Sequence, residues 1–220
     1  MPGYETRKLD VRVGALHWRI RALSDRQQYA DPGGAAERVG ICSASWSLFG
    51  QLWPASRALA TAVKHINIEN RRIIELGCGL GLPSLVLQSR GADVTASDHH
   101  PLSESFLDYN AMLNRLAPVP YLDLPWNASL ADPEVGRFDL IVGSDILYER
   151  DHADMLAALV ERLAAAKAKV LITCPGRGYR NRFSRLLEAD GFELTATTLP
   201  FSEEEKPPFR GRLLCYRRGL

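Results

Sequence analysis

The stretch Ile73-Ile74-Glu75-Leu76-Gly77-Cys78-Gly79-Leu80-Gly81 decides the fold class of this chain, because it passes from an apolar strand through alternating glycines into a helical pattern. Glycine allows the backbone to take tight or left-handed conformations and to approach a ligand without an intervening side chain. Pro83 follows in the first turn of the predicted helix, where its missing N–H costs little. A ligand held at such a turn lies at the carboxyl end of a parallel strand.

The spacing of the glycines is Gly-x-Gly-x-Gly rather than the Gly-x-Gly-x-x-Gly of a dinucleotide-binding turn. This spacing favours a nucleoside with an amino-acid tail over a pyrophosphate, and it disfavours an NAD-dependent enzyme. Asp98 ends the next predicted strand about twenty residues after Gly77, at the place where an acidic side chain binds ribose hydroxyls. We therefore predict a nucleoside-binding site.

Strand and helix patterns alternate on both sides of this turn. Strands are predicted over residues 72–76, 93–96, 120–124, 138–143 and 169–173, and helices over 54–66, 82–90, 102–113, 152–165 and 179–189. Two further strands, 192–198 and 212–217, predict a closing antiparallel hairpin joined by the loop 201–210. The alternation predicts an α/β fold with a Rossmann-like, seven-stranded, mostly parallel sheet and helices on both faces.

The N-terminal part has a different pattern. Residues 11–23 alternate between apolar and polar side chains and predict one or two strands. Residues 24–40 are polar and contain the turn signal Asp31-Pro32-Gly33-Gly34, which predicts either a substrate-facing lid or an ordinary loop. We accordingly predict an N-terminal extension over residues 1–45 and an α/β domain over residues 46–220.

Composition excludes several classes of protein. The formal net charge of +1 argues against nucleic-acid or membrane binding driven by overall charge. The four cysteines have no Cys-x-x-Cys spacing, which argues against a zinc ribbon or a disulfide framework and favours reduced thiols in the cytoplasm. No apolar run is long enough to span a bilayer. We expect a cytoplasmic monomer with no membrane or nucleic-acid partner.

The glycine turn and Asp98 resemble those of the class I, seven-strand S-adenosylmethionine-dependent methyltransferases, over about residues 46–217. The resemblance implies S-adenosylmethionine as cofactor and S-adenosylhomocysteine as product. It also implies that Glu75 and the glycine loop, with Gly77, Cys78, Gly79 and Gly81, surround the methionine moiety. Asp98 would bind the ribose.

Three further motifs are similar to the protein-lysine methyltransferase branch of this family. They are Leu52-Trp53-Pro54-Ala55-Ser56, Leu124-Pro125-Trp126-Asn127 and Gly143-Ser144-Asp145-Ile146-Leu147-Tyr148-Glu149. The resemblance implies that Trp53 lies against the cofactor, that Trp126 lines the adenine site and that Asp145 and Tyr148 lie beside the transferred methyl group. We expect Ser144 to contact the adenine side through its backbone. Asn127 departs from the branch, which usually has glycine there.

The hypothesis for the chemistry is that Asp145 orients an acceptor amine and helps its proton leave, while Tyr148 shapes the channel. A small-molecule N- or O-methyltransferase remains an alternative, because one fold hosts many acceptors. So does a noncatalytic cofactor-binding module. The loop Cys174-Pro175-Gly176-Arg177-Gly178-Tyr179-Arg180 is predicted to face the site, either as a contact for an acidic substrate or as a solvated loop. No metal is expected, because the adjacent His99 and His100 cannot easily face one ion.

Overall fold

A computed structural model describes residues 3–127, 135–200 and 209–219. The strands are β1 Thr6–Val13, β2 Leu16–Leu23, β3 Arg72–Leu76, β4 Asp93–Asp98, β5 Tyr121–Asp123, β6 Phe138–Ser144, β7 Ala164–Cys174, β8 Glu193–Thr198 and β9 Arg212–Arg218. The helices are α1 Ala35–Arg38, α2 Ser43–Trp46, α3 Pro54–Val63, α4 Leu82–Ser89, α5 Ser103–Leu113, α6 His152–Leu163 and α7 Arg180–Ala189. None of these helices has the length and apolar composition needed to cross a membrane.

Seven strands form one sheet in the order β5-β4-β3-β6-β7-β9-β8. The five strands from β3 to β7 pair in parallel, while β9 is antiparallel to both β7 and β8. The predicted fold class is therefore confirmed. The chain adds β4 and β5 on one side of β3 and then returns to place β6 on the other side. Ligands of open α/β sheets bind at the carboxyl ends of strands where the strand order reverses in this way, here above β3 and β6.

The sheet buries apolar side chains on both faces. Ile73 packs into the cluster formed with α3, α4 and α5, whereas the next residue, Ile74, packs into the cluster formed with α6 and α7. Successive side chains of a strand point to opposite faces, so a strand covered on both sides has apolar residues at consecutive positions, with the buried Glu75 as the exception in β3. This explains why the run before the glycine turn contains no alternation.

The N-terminal hairpin of β1 and β2 forms a separate two-stranded sheet, with Val11 paired to Trp18. Both residues are buried in the cluster that also contains one face of the large sheet. Of the one or two strands predicted over residues 11–23, the structure has two. The first strand, β1, begins five residues earlier than expected, because residues 6–10 are mostly exposed and charged and show no apolar alternation. The proposed division at residue 45 stays a prediction.

Two asparagines hydrogen-bond to the free edge of β2: Asn110, which lies in α5, and Asn114, which is the C-cap of α5. Asn110 bonds the N–H and C=O of Arg21, and Asn114 bonds the N–H and C=O of Arg19. Residues four apart share a helix face, and residues two apart on a strand point their backbone groups to the same edge, so the two spacings match. The side-chain amides thus replace a third strand and satisfy backbone groups of an edge that would otherwise be open.

Two predicted helix ends are wrong by two or three residues. The helix expected over residues 54–66 ends at Val63. The helix expected to continue to residue 165 ends at Leu163, and β7 occupies all of 164–174. The alanines at 164–166 favour a helix by intrinsic propensity, but pairing of Ala164 with Phe138 places them in the sheet. Most of the predicted loop 201–210 lies outside the described residues.

Candidate active site

A cavity of about 660 Å³ lies at the carboxyl ends of β3, β4 and β6. Pockets of this size suit ligands such as nucleosides with a side arm. Nine predicted site residues line it: Trp53, Gly77, Cys78, Gly79, Asp98, Trp126, Ser144, Asp145 and Tyr148. The structure therefore gathers residues from five separate stretches of sequence around one space.

The glycine turn has the backbone conformation that its sequence predicts. Gly77, Gly79 and Gly81 have φ values of 62°, 52° and 76°, all in the left-handed region that favours glycine. A Cβ atom on Gly79 would lie 2.7 Å from the carbonyl oxygen of Phe49, and one on Gly77 would lie 3.1 Å from the Trp126 ring. The glycines therefore accommodate neighbouring protein as well as the tight turn itself.

Glu75 lies beneath the turn rather than on the cavity wall. It is fully buried, and its Oε2 accepts hydrogen bonds from the backbone N–H and the hydroxyl of Ser84. Burial raises the pKa of Glu75 to about 8, and the neighbouring Asp98 adds to this increase. Within the described residues, Glu75 Oε1 has no hydrogen-bond partner. Gly81 also lies off the cavity wall, at the N-cap of α4.

The carboxylate of Asp98 is held by three backbone N–H groups. Oδ2 accepts from Gly79 at 2.8 Å, and Oδ1 accepts from His99 at 2.8 Å and from His100 at 2.9 Å. Burial raises the pKa of Asp98 in spite of these bonds. The end of β4 is thereby tied to the glycine turn, and an acidic group is presented to the cavity at a fixed position.

The N-terminal segment contributes a wall of the cavity. Val39, Gly40, Ile41 and Phe49 line it, and the carbonyl of Val39 lies 3.2 Å from His99 Nε2. The Phe49 ring stacks on the ring of His100, with centroids 3.7 Å apart. The end of the polar stretch 24–40 is consequently part of the site, which favours the lid interpretation over an ordinary loop.

Trp53 is fixed at the entrance to α3. Its indole N–H donates to the carbonyl oxygen of Leu48 at 2.9 Å, and the Arg26 guanidinium lies 5.1 Å from its ring centroid. An arginine at this distance from a tryptophan face is attracted by the ring. The orientation of Trp53 thus depends on the N-terminal segment.

Asp145 lines the cavity at the end of β6, the strand that pairs with β3. Its φ of 53° lies in the left-handed region, and its N–H donates to the carbonyl oxygen of Thr173 at 2.8 Å. Arg177, from the loop after β7, donates to Asp145 Oδ1 at 2.8 Å and to Oδ2 at 2.9 Å. This two-bond pairing raises the pKa of Arg177.

Aromatic rings lie next to this ion pair. The His152 ring packs edge-on against Trp126, with centroids 4.9 Å apart, and against Tyr148, with centroids 4.4 Å apart. His152 Nδ1 lies 3.0 Å from the carbonyl oxygen of Ile146. Burial lowers the pKa of His152 and raises the pKa of Tyr148 to about 12, so both side chains are neutral at neutral pH.

The sequence analysis did not assign several residues of the cavity. Phe49, Gln51, His152 and Met155 line it without belonging to a motif, and Arg177 was placed only in a site-facing loop. His152 stands four residues after Tyr148, and this spacing is a signal that could have identified it. Within residues 3–127, 135–200 and 209–219, no group of three or more His, Cys, Asp or Glu side chains is placed to hold a metal ion.

The sequence also matches a known protein family. Residues 43–189 match the family model described as lysine methyltransferase. The chain belongs to the lysine methyltransferase family. This assignment confirms the predicted branch, the predicted class of enzyme and S-adenosylmethionine as its cofactor.

Two relatives of this lysine methyltransferase carry lysine methylation in their names. Protein N-lysine methyltransferase METTL21A of Danio rerio is 32% identical over 164 residues, which are 70% of this chain and 75% of the relative. Electron transfer flavoprotein beta subunit lysine methyltransferase of Rattus norvegicus is 28% identical over 159 residues, which are 70% of this chain and 59% of the relative. The chain thus spans three quarters of one relative and about three fifths of the other.

A solved structure supports the fold. The T. thermophilus 16S rRNA N2 G1207 methyltransferase, in complex with AdoMet and guanosine, superposes with a TM-score of 0.65 at 17% identity. The match covers 97% of this chain and 50% of that chain. At this identity the likeness concerns the fold, which agrees with the strand order described above.

The residues of the cavity fit the family's cofactor. The carboxylate of Asp98 faces the cavity, and Trp53 and Trp126 offer ring surfaces. The buried carboxyl group of Glu75 lies beneath the glycine turn, and its Oε1 has no hydrogen-bond partner in the described part of the chain. A nucleoside with a cationic amino-acid tail offers hydroxyls, a flat base and an ammonium group, which match these features. The individual role of each side chain stays a prediction.

Proposed function

We propose that this chain transfers a methyl group from S-adenosylmethionine to the side-chain amine of a lysine in a protein substrate. The observation that carries the proposal is that Asp145 and Tyr148 line the same cavity as the aromatic rings of Trp126 and His152 and as the glycine turn. A carboxylate beside aromatic rings suits a cationic amine. The names of the relatives from Danio rerio and Rattus norvegicus agree with a lysine acceptor.

We also propose roles on the cofactor side. The left-handed glycine turn holds the methionine end, with Glu75 beneath the turn and bonded to Ser84. The carboxylate of Asp98 holds the ribose, and Trp53 and Trp126 enclose the flat parts. Cys78 and Ser144 complete the wall with Gly77, Gly79 and Gly81 positioned by the turn. The bound cofactor supplies a methyl group on a sulfonium, which is already a good leaving group.

The remaining work of the enzyme is alignment and proton removal. A free lysine has a pKa of about 10.4, so its amine must lose a proton before attack. Asp145 attracts and orients the ammonium group and passes its proton on to solvent, which its partly exposed side chain can reach. Removal from water between the rings of Tyr148 and Trp126 favours the neutral amine and so assists this loss. Tyr148 also restricts the channel so that the amine approaches within about 3 Å of the methyl carbon.

Methyl transfer to protein tests the proposal directly. A methyl-depleted lysate is incubated with the enzyme and labelled S-adenosylmethionine, and the protein fraction is examined for a lysine that has gained the mass of a methyl group. Asp145→Asn serves as the inactive control. Label that enters only the small-molecule fraction would instead support a small-molecule methyltransferase. No label in either fraction, with cofactor binding intact, would support the noncatalytic module.

Three further expectations belong to the same proposal. The substrate is a protein, the enzyme acts as a monomer, and the compartment is the cytoplasm, where the free thiols of Cys42, Cys78, Cys174 and Cys215 stay reduced. Residues 46–220 are proposed to form the catalytic domain and residues 1–45 its extension. Sedimentation of the purified chain with S-adenosylhomocysteine measures its oligomeric state.

A further inference from the structure

The loops that follow β6 and β7 meet through one ion pair at the acceptor side of the cavity. Asp145 and Arg177, 32 residues apart in sequence, share two hydrogen bonds of 2.8 and 2.9 Å. Both residues line the cavity. The carboxylate proposed to receive the substrate's ammonium group is therefore already bound to a cation of the protein.

We propose that Arg177 is an internal stand-in for the substrate's cation: it neutralises Asp145 until an acceptor ammonium arrives and takes its place. The inference rests on the proposed function and deepens it. It makes the acceptor a protonated amine rather than a neutral side chain, and it makes Arg177 a specificity-determining residue.

The two partners differ in how firmly they are held. The Asp145 side chain is 12% exposed, and its backbone N–H is bonded to Thr173. The Arg177 side chain is 44% exposed. The carboxylate is thus the fixed partner, while the guanidinium lies at the rim, where water can receive it.

The backbone around Arg177 permits its departure. Gly176 has a φ of 97°, and neither Gly176 nor Gly178 has an atom of the described chain within 4 Å of where a Cβ would stand. The guanidinium bonds described for Arg177 all go to Asp145. Moving this side chain therefore breaks one ion pair and disturbs no packed core.

Charge balance explains why a stand-in is useful. A nearly buried carboxylate without a partner is strongly unfavourable, so the empty site needs a cation. An incoming ammonium group restores the balance when Arg177 leaves, whereas a neutral side chain would leave Asp145 uncompensated. The exchange accordingly admits cationic acceptors and rejects neutral ones of similar size.

The exchange can be measured, because the guanidinium of Arg177 competes with the acceptor's ammonium group for Asp145. If the pair is formed about nine-tenths of the time, removal of Arg177 raises the apparent affinity for a cation about tenfold. The probe is n-butylammonium, which has the charge and the four-carbon chain of a lysine side chain. Its binding to the protein saturated with S-adenosylhomocysteine is followed by NMR titration, which requires no methyl transfer.

The variants are Arg177→Ala, Arg177→Lys and, as a matched control, Arg182→Ala. Arg182 makes the same two-bond pairing with Asp154 at 2.6 and 2.7 Å, but neither residue lines the cavity and both are exposed. We expect tighter n-butylammonium binding in Arg177→Ala and an intermediate value in Arg177→Lys, because lysine cannot pair through two bonds. Arg182→Ala should equal the natural protein.

A second ion separates displacement from permanent pairing. In Arg177→Ala, methylguanidinium should compete with n-butylammonium for Asp145 if Arg177 is a stand-in. The proposal is overturned if n-butylammonium binds Arg177→Ala no better than the natural protein, or if methylguanidinium strengthens its binding, since Arg177 would then be a lasting part of the site. Should Arg177→Ala lose S-adenosylhomocysteine binding, Arg177→Lys alone decides by the same criterion.

Failure of the proposed function is distinguishable from failure of this inference. Displacement by n-butylammonium without any methylated lysine in the lysate would retain the stand-in and point to another cationic acceptor. Methylated lysine together with unchanged n-butylammonium binding in both Arg177 variants would retain the proposed function and remove the stand-in.

Discussion

The cofactor side and the acceptor side of the cavity are held together by different interactions. On the cofactor side, Asp98 is bonded by three backbone N–H groups, and the space beside Gly79 is filled by the Phe49 carbonyl. On the acceptor side, Asp145 is held by a half-exposed arginine, and Tyr148 is 37% exposed. Backbone and packing make the first side rigid before any ligand arrives, whereas the second side consists of side chains that can rearrange around different proteins.

The strongest test of the buried cofactor side is the pH dependence of stability at Glu75. Its pKa is about 8 in the folded protein against 4.5 ordinarily, so between these values the folded chain keeps a proton that the unfolded chain has released. The free energy of unfolding of the cofactor-free protein therefore falls as pH rises, on the order of 4 kcal/mol from about pH 5 to about pH 8. Urea unfolding across this range measures the slope.

Glu75→Gln is the matched variant for this test. Glutamine is uncharged and its oxygen can still accept both bonds from Ser84. We expect the variant to lack the part of the slope that Glu75 contributes, and to be the more stable protein at the upper end of the range. Identical slopes in both proteins would mean that Glu75 ionises at its ordinary pKa and that the cofactor side is less dry than its burial indicates.

Gly79→Ala tests whether packing makes the turn rigid. The new Cβ would stand 2.7 Å from the Phe49 carbonyl oxygen, at a φ of 52° that alanine rarely adopts. We expect the affinity for S-adenosylmethionine to fall about 100-fold, because overpacking and strain shift the turn out of its binding conformation, and restoring that conformation on binding costs up to about 3 kcal/mol. Calorimetric titration measures it, with Gly178→Ala, which enters open space, as the control. An unchanged affinity would show that the N-terminal segment yields easily.

Asp145→Asn tests the acceptor side without disturbing its backbone, because asparagine tolerates the left-handed conformation of this position. We expect the turnover number to fall about 100-fold, since the group that orients the amine and helps remove its proton is lost. Cofactor affinity should stay within about twofold, as in the exposed control Asp154→Asn. A large loss of cofactor affinity would place Asp145 on the cofactor side and remove the contrast between the two sides.

The two sides also differ in how far the sequence could predict them. The apolar run of β3, the three glycines and Asp98 are close together in the chain, and local backbone rules link them to one another. The strand before the glycines was predicted correctly, and the left-handed φ values of the three glycines are among the conformations that the sequence allowed. The binding roles of these residues stay predictions.

The acceptor side depends on contacts between distant residues. The pairing of Arg177 with Asp145 arises when the sheet brings the loops after β6 and β7 together, and no spacing encodes it. The stacking of Phe49 on His100, on the cofactor side, was not predicted for the same reason. The wrong helix end at Leu163 has the same origin, since pairing with Phe138 overrides the propensity of the alanines that follow. The functional motifs were visible, but the partners that hold them were not.

Asn114→Ala tests how far the rigid region extends, with the smallest expected effect. Asn114 bonds the edge of β2 at Arg19, whereas Asn110 bonds β2 at Arg21 and also donates to the carbonyl oxygen of Leu80 in the glycine turn. Loss of the Asn114 bonds should lower the free energy of unfolding by about 1 kcal/mol and leave cofactor affinity unchanged. Asn110→Ala should cost more, because Asn110 is fully buried, and should also weaken cofactor binding. Equal effects of the two variants on cofactor binding would mean that the hairpin as a whole, rather than its link to Leu80, supports the turn.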